Sequence, residues 1–196
     1  MPDTLTMSAL REAVQHCEGC PLYANATQAV FGEGTLSAEV MLVGEQPGDQ
    51  EDRAGVPFVG PAGKLLDRAL EEAGIDRRTT YVTNAVKHFK WKARGTRRIH
   101  DKPTWTEQMA CRPWLEAELA LVKPKALVLM GATAAQTLLG KSFKVTQSRG
   151  VPLDSDLAEL VVATIHPSAV LRTDDREAMF AGLVDDLRVV ARAFPG

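Results

Sequence analysis

Four short apolar segments recur along the chain, and segments with a helical pattern lie between them. The apolar segments are AEVMLVGE, TTYVTNAV, KALVLMG and ELVVATI. AEVMLVGE contains a continuous apolar run that ends in glycine, which is typical of a strand buried on both faces of a parallel sheet. The intervening segment PAGKLLDRALEEAG has apolar residues at helical spacing, a proline at its start and a glycine at its end. This alternation predicts an α/β fold, a three-layer αβα domain with a central four-stranded parallel sheet.

The length and composition of the chain predict one domain over residues 1–196. The chain has 196 residues, 45% of them hydrophobic, which is enough for a full core. No apolar run approaches the roughly 20 residues that cross a bilayer. The N-terminal sequence lacks the apolar region of a signal peptide, so we expect a cytoplasmic protein that contacts no membrane. We also expect a monomer.

The segment RGTRRIHDK, residues 94–102, combines four cationic residues with one histidine. The net charge of the whole chain is only −2, which gives no general reason to expect a nucleic-acid partner. The local excess of positive charge is nevertheless what a loop that contacts phosphates requires. A solvated surface turn with an incidental histidine is the alternative. Because the segment has no apolar period, we expect a loop.

Polar segments follow three of the four predicted strands. GEQPGDQEDRAGVPFVG follows the first strand, residues 84–88 end the second, and HPSAV follows the fourth. Parallel sheets of this kind bind ligands at the carboxyl ends of their strands. We therefore expect these segments to meet in one crevice, although ordinary loops of an α/β protein would also contain such residues.

The chain has three cysteines, Cys17, Cys20 and Cys111. An odd number of cysteines in a protein that we expect to be cytoplasmic argues against a disulfide framework. The set favours a metal or cluster site, and the CEGC spacing also fits a redox-active pair.

Taken together, these motifs resemble those of the iron–sulfur uracil-DNA glycosylases of family four. The resemblance rests on GEQPGDQED, GVPFVGPAGKLLD, TNAVKH, HPSAV and the spaced cysteines, and it extends from about Cys17 to the last helix. The RRIH insertion and Gln46 in GEQPG are similar to the UdgX branch, whose members stay covalently joined to the DNA on which they act. The resemblance therefore implies a DNA-repair enzyme whose partner is uracil-containing DNA, with single strands accepted.

The resemblance implies a pocket for a flipped uracil base. Phe58 would stack on the base, and the amide of Asn84 would pair with its polar edge and reject cytosine. Gly44 and Gly48 would line the same pocket. Without the resemblance, Phe58 would be taken for a core aromatic residue and Asn84 for a turn residue.

The resemblance also implies catalytic residues. His166 and backbone N–H groups of the loop 44–49 would stabilise the negative charge that develops on uracil O2. Glu45 would polarise or orient the nucleophile, and Gln46 and Asp49 would contact the base or place a water molecule. A histidine before a proline is otherwise a common structural turn residue.

The resemblance extends the cysteine set to four ligands. Relatives have a cysteine at the position after NAVK, where this chain has His88, and imidazole can ligate iron. Cys17, Cys20, His88 and Cys111 would then hold a 4Fe-4S cluster. A zinc site of Cys3His composition fits the same residues.

The resemblance also implies a role for His100, the histidine of RGTRRIHDK. Once the glycosidic bond breaks, a neutral His100 imidazole is a better nucleophile than water and could capture the sugar. DNA contacts are assigned to Arg94, Arg97, Arg98, Lys102 and Ser168. Val170, Leu171 and Arg172 are candidates for a wedge in the vacated base stack. A glycosylase that traps itself, a glycosylase that turns over and a non-catalytic DNA-binding module are the three functions left open.

Overall fold

The computed structural model describes residue 2 and residues 4–194, and strands and helices alternate along this part of the chain. The strands are β1 (Glu33–Gly34), β2 (Val40–Gly44), β3 (Thr80–Asn84), β4 (Trp91–Arg94), β5 (Arg97–His100), β6 (Ala126–Met130), β7 (Pro152–Leu153) and β8 (Leu160–Thr164). The helices are α1 (Met7–Ala13), α2 (Asp49–Ala54), α3 (Pro61–Ala73), α4 (Trp105–Val122), α5 (Ala132–Leu139), α6 (Val145–Ser148), α7 (Pro167–Arg172) and α8 (Arg176–Ala193). Short 3-10 helices span Val14–His16, Pro21–Ala24 and Arg77–Thr79.

The central sheet has six strands in the order β1-β3-β2-β6-β8-β7. The four predicted strands, β3, β2, β6 and β8, are its parallel centre. The predicted count of four strands is too low, because β1 and β7 add antiparallel edges on either side. Each edge strand has two residues, which is too short to produce a hydrophobic pattern in the sequence.

Helices cover both faces of this sheet. Alternate residues of the central strands point to opposite faces. Leu42 and Val128 belong to the core cluster that contains residues of α3 and α8. Their neighbours Met41 and Leu127 belong to a second cluster with residues of α4 and α5. The central layer is therefore covered on both sides, which explains why β2 and β6 are apolar at successive positions.

Backbone hydrogen bonds continue past the carboxyl ends of the central strands and hold them at one edge. The N–H of Ala85 donates to the carbonyl of Gly44 (2.9 Å), and the N–H of Val86 donates to the carbonyl of Glu45 (3.0 Å). The N–H of Gly131, after β6, donates to Thr164 at the end of β8 (2.8 Å). Residues that follow β2, β3, β6 and β8 are thus fixed relative to one another.

The basic segment forms the turn and the second strand of a β-hairpin, and the expectation of a loop there was wrong. Strands β4 and β5 pair antiparallel, with Trp91 opposite His100 and Arg94 opposite Arg97. Gly95, at the tip, has a left-handed backbone (φ 60°), as two-residue hairpin turns require. Most hairpin residues are exposed on both faces, so no hydrophobic alternation marks the strands in the sequence. Within the described residues, no helix has the length and hydropathy needed to cross a membrane.

Candidate active site

Three side chains from distant parts of the chain converge on Gly44, the last residue of β2. A Cβ atom placed on Gly44 would lie 2.6 Å from the ring of Phe58 and 3.3 Å from Nε2 of His166, and it would collide with Oδ1 of Asn84. Any side chain at this position would therefore occupy the space that these three groups share. The predicted convergence of strand ends is found here, at the carboxyl edge of the parallel sheet.

Asn84 presents an unused hydrogen-bonding group to this space. The residue ends β3 and is 3% exposed. Its Oδ1 atom is buried and has no hydrogen-bond partner among the residues that the structure describes. An unpaired buried acceptor costs free energy on the order of 1–3 kcal/mol, and such groups are rare in folded proteins. The amide is therefore free to bind a ligand that offers a donor.

Phe58 is held in an unusual backbone conformation beside the same space. Its φ is 57°, which bulky residues rarely adopt, and its ring lies 6.2 Å from the His166 ring at an interplanar angle of 27°.

Glu51, which the sequence analysis did not single out, accepts hydrogen bonds from the N–H groups of Gly48 (3.0 Å) and Gly60 (2.7 Å). This carboxylate ties the segment after β2 to the turn that contains Phe58, and it occupies the Gly48 amide that was predicted to line the pocket.

His166 is neutral and has one defined tautomer. The N–H of Ser168 donates to its Nδ1 (3.1 Å), and the Ser168 hydroxyl lies 2.8 Å from the same atom. A backbone amide can only donate, so Nδ1 is the acceptor and Nε2 carries the proton. Burial lowers the pKa of His166 to about 4. The ring therefore directs an N–H donor toward the space beside Gly44. Ser168, predicted to contact DNA, orients this ring.

Glu45 connects the pocket to the hairpin. Its Oε1 lies 3.1 Å from Nε2 of His100, and its Oε2 accepts a hydrogen bond from the hydroxyl of Thr133. Burial raises the pKa of Glu45, but the hydrogen bonds from His100 and Thr133 outweigh this and keep the pKa below its usual range. The carboxylate is therefore ionised and faces His100, whose side chain is 47% exposed. Thr133 was missed because the sequence analysis assigned no polar segment to the end of β6.

The Gln46 amide bonds to the hairpin and not to the pocket. Its Nε2 donates to the carbonyls of Lys90 (3.2 Å) and Asp101 (3.0 Å), and its Oε1 accepts from the N–H of Lys90 (2.9 Å). These two residues flank the hairpin at its base. The contact with a base or a water molecule that was predicted for Gln46 is not what this geometry favours, because both ends of its amide are already bonded to backbone.

Arg98 is also engaged within the protein. Its guanidinium binds Asp49 (2.5 Å) and the buried Asp52 (2.6 Å), and it lies 5.4 Å from the centre of the Phe89 ring. These contacts hold the hairpin to α2. The guanidinium that was predicted to bind a DNA phosphate is therefore paired with carboxylates, and so is the Asp49 side chain that was predicted to contact the base or place a water molecule. The remaining predicted cations of the segment are exposed and form no salt bridge with another described residue: Arg94, Arg97 and Lys102.

The three cysteines belong to one apolar cluster, and Cys111 lies on α4. Two nitrogen donors point at their sulfur atoms: Nε1 of Trp114 at Cys17 Sγ (3.2 Å) and the N–H of Lys87 at Cys111 Sγ (3.2 Å). Burial raises the pKa of Cys111 to about 12. His88, the next residue after Lys87, is buried. No three Cys, His, Asp or Glu side chains are arranged to hold a metal ion in residues 2 and 4–194.

The fold and the pocket define a class of protein. A doubly covered parallel sheet carries, at its carboxyl edge, an aromatic ring, an unpaired amide and a neutral imidazole, which together suit a flat ring with polar edges. Residues 31–188 match the sequence model of the Uracil DNA glycosylase superfamily. The chain belongs to this superfamily.

Individual relatives agree with this assignment. The chain is 40% identical over 172 residues to the type-4 uracil-DNA glycosylase of Thermotoga maritima. The aligned region covers 87% of this chain and 86% of the relative. It is 35% identical over 175 residues to the type-4 uracil-DNA glycosylase of Pyrobaculum aerophilum, with 86% of each chain covered. A type-5 uracil-DNA glycosylase of the same organism is 31% identical over 159 residues, covering 69% of this chain and 63% of that protein.

Proposed function

We propose that this protein excises uracil from DNA and then becomes covalently joined to the abasic sugar through His100, as the UdgX-type motifs imply. Membership of the superfamily supports the excision. The observation that carries the covalent step is the 3.1 Å contact between Nε2 of His100 and the ionised Glu45, next to the pocket residue Gly44.

Uracil recognition follows from the polar groups of the pocket. The unpaired Oδ1 of Asn84 would accept the N3–H of uracil, and its Nδ2 would donate to O4. Cytosine presents an acceptor at position 3 and a donor at position 4. The Oδ1 acceptor of Asn84 would then face an acceptor and its Nδ2 donor a donor, so cytosine would be rejected. The Phe58 ring supplies a face for stacking.

Bond cleavage requires stabilisation of the departing base. As the bond between C1′ and N1 breaks, negative charge collects on uracil O2 and positive charge on the sugar. The Nε2–H of His166 is fixed by Ser168 and would donate to O2. A preorganised donor of this kind acts without reorganising during the reaction.

The capture step balances in atoms and charge. Glu45, which the pKa shift keeps ionised before the reaction, accepts the Nε2 proton of His100, and the lone pair freed on Nε2 forms the bond to the cationic C1′. The products are a neutral alkylated imidazole and a neutral carboxylic acid. No water enters, and no free abasic site is released.

A conventional glycosylase is the second candidate. Two type-4 uracil-DNA glycosylases are 40% and 35% identical to this chain, and turnover would need only a water molecule in place of His100. Incubation of the protein with a single-stranded oligonucleotide that contains one uracil distinguishes the candidates. We expect one uracil released per protein molecule and a protein–DNA complex that survives denaturing electrophoresis. Many uracils released per molecule without such a complex would indicate turnover, and no release would exclude both candidates.

We further propose that Cys17, Cys20, His88 and Cys111 hold a 4Fe-4S cluster. The proposal is supported by two observations: Cys17, Cys20 and Cys111 belong to one apolar cluster, and N–H groups donate to two of their sulfur atoms, as N–H groups do to the sulfurs of iron–sulfur clusters. When bound, the cluster would tie the CEGC turn to α4, and its role would be structural, since base excision needs no electron transfer.

Anaerobically purified protein should be brown and should contain about four iron atoms per chain. Replacement of Cys111 or His88 by Ala should cost iron and soluble yield, because the free energy of metal binding contributes to folding. His88→Cys is the matched control and should retain iron. Iron content and visible absorbance are the measurements. Colourless protein with one zinc per chain would overturn the cluster assignment.

Arg97 and Arg98 are adjacent, and we expect their replacement to have different effects. Arg97 is exposed and free to bind a phosphate, so Arg97→Ala should weaken DNA binding and reduce the slope of log K against log salt by about 1, with the thermal midpoint unchanged. Arg98→Ala should lower the free energy of unfolding by about 3 kcal/mol, because Asp52 would stay buried without its cation. Fluorescence anisotropy at several salt concentrations and thermal unfolding measure both. Equal effects of the two variants on stability would contradict this assignment.

A further inference from the structure

A fully buried ion pair lies directly behind the pocket. Nζ of Lys87 is 2.5 Å from Oε2 of Glu118, and both side chains have no exposed surface. Lys87 lies on the segment after β3, and Glu118 lies on α4. Burial of two charges is costly, and apolar residues in the same space are often as stable or more stable. The attraction between the two charges therefore does not by itself explain why this buried pair is present.

Every donor of the Lys87 ammonium group has a partner. Besides Glu118, the group donates to the hydroxyl of Thr83 (2.7 Å) and to the backbone carbonyl of Asn84 (2.7 Å). An ammonium has three N–H donors, and here all three are used. Two of the three acceptors belong to the last two residues of β3, the strand that delivers the pocket amide.

Glu118 holds the ammonium in place from the opposite side. Its Oε1 accepts hydrogen bonds from the N–H of Gly32 (2.9 Å), the hydroxyl of Tyr81 (2.9 Å) and the hydroxyl of Thr83 (2.9 Å). These contacts join the Glu118 carboxylate of α4 to β3 and to Gly32. This network holds the Lys87 ammonium against the backbone carbonyl of Asn84, on the peptide whose N–H, that of Ala85, bonds to Gly44.

We propose that Lys87, anchored by Glu118, is a positioning residue for uracil recognition, because its side chain fixes the peptide of Asn84 and thereby aims the unpaired Asn84 amide into the pocket. The inference rests on the proposed function. Oδ1 of Asn84 has no hydrogen-bond partner among the described residues, so the position of the amide follows from the backbone that carries it. The contact between Lys87 and Cys111 is made by the backbone N–H, and replacement of the side chain leaves that contact in place.

The test needs a variant that removes the ammonium without leaving a buried charge. Lys87→Met alone would strand the Glu118 carboxylate, so the test variant is Lys87→Met combined with Glu118→Gln. The new amide can still accept from Gly32 and Tyr81 and can donate to Thr83. Tyr81→Phe is the matched control, since it removes one hydrogen bond of the same network but none to Asn84.

Two affinities separate positioning from general structural damage. One is the inhibition constant of free uracil, which reports the pocket alone. The other is the dissociation constant of an oligonucleotide with a tetrahydrofuran abasic analogue, which reports the DNA-binding surface. For the double variant we expect a rise in the uracil inhibition constant of about tenfold, from loss of one good base contact, with abasic-DNA affinity unchanged. Tyr81→Phe should leave both constants unchanged even if it lowers the thermal midpoint.

The inference is overturned if the folded double variant keeps the wild-type uracil constant, or if both affinities fall together. If that variant does not fold, Lys87→Gln with Glu118→Gln takes its place. The glutamine side chain at position 87 is shorter than lysine and carries a neutral donor. For this variant we expect the inhibition constant of free uracil to rise by less than tenfold. An inhibition constant equal to that of wild type overturns the inference. The wild-type protein is assayed in parallel. Absence of uracil release by wild type refutes the proposed function itself, whereas release by wild type with unchanged constants in the variant refutes only the role of Lys87.

Discussion

His100→Ser is expected to abolish the denaturant-stable complex with DNA while uracil release continues. His100 lies at the end of β5, and its described polar partner is Glu45, which does not contact the leaving base in the proposed reaction. Serine is smaller, so water could reach C1′ beside the ionised Glu45. The protein would then release a free abasic site and act repeatedly. Denaturing electrophoresis and chromatography of released uracil measure the two outcomes separately.

His16→Ser is a suitable control for this experiment. His16 is also exposed, but it lies in the 3-10 helix after α1 and has no assigned role. This variant should form the complex at the wild-type rate. If His100→Ser lost uracil release and complex together, His100 would be needed for cleavage and not specifically for capture.

His166→Ser is expected to have the opposite pattern, with both uracil release and complex formation slowed. The Nε2–H donor to O2 would be lost, and removal of one such donor costs roughly 10²–10³ in rate. Because capture follows cleavage, the complex should form no faster than uracil is released. Single-turnover kinetics with excess protein measure the cleavage step directly.

Ser168→Ala tests the same group through its orientation. The backbone N–H of Ser168 would still bond to Nδ1 of His166, so only the hydroxyl contact is lost. We expect a smaller fall in rate than for His166→Ser. A wild-type cleavage rate in His166→Ser would remove this histidine from the reaction.

The centre of the fold could be predicted from sequence because its signals are local. β2, β6 and β8 are apolar runs, β3 is rich in β-branched and aromatic residues, and α3 has a proline at its start and a glycine at its end. The edge strands and the hairpin gave no such signal. The hairpin has its residues exposed on both faces, and long-range bonds from Gln46 and Arg98 hold it to the rest of the protein.

The pocket could be predicted only in part. Asn84, His166 and Phe58 were predicted because the motifs that contain them resemble those of the family-four glycosylases, and the structure brings all three to Gly44. The roles of Gln46 and Arg98 depend on which partners a side chain meets across the fold, and residue type alone does not specify this. An arginine can pair with a phosphate or with a carboxylate, and Arg98 pairs with the carboxylates of Asp49 and Asp52.

Glu51 shows what a local pattern could have revealed. It stands three residues after Gly48, the spacing at which a glutamate accepts from the backbone N–H at the start of a helix. Its second bond, to Gly60, closes the turn that carries Phe58 and depends on tertiary structure. Thr133 and the pair of Lys87 with Glu118 likewise act through contacts between distant segments, which only the folded chain displays.

Mass spectrometry of the wild-type protein–DNA complex tests the central claim most directly. The complex is formed on a uracil-containing oligonucleotide, digested with nuclease and protease, and the modified peptide is sequenced. The proposed capture predicts a deoxyribose-derived mass on His100, with a loss of uracil and no added water. A modification on any other residue, or an intact abasic site with unmodified protein, would contradict it.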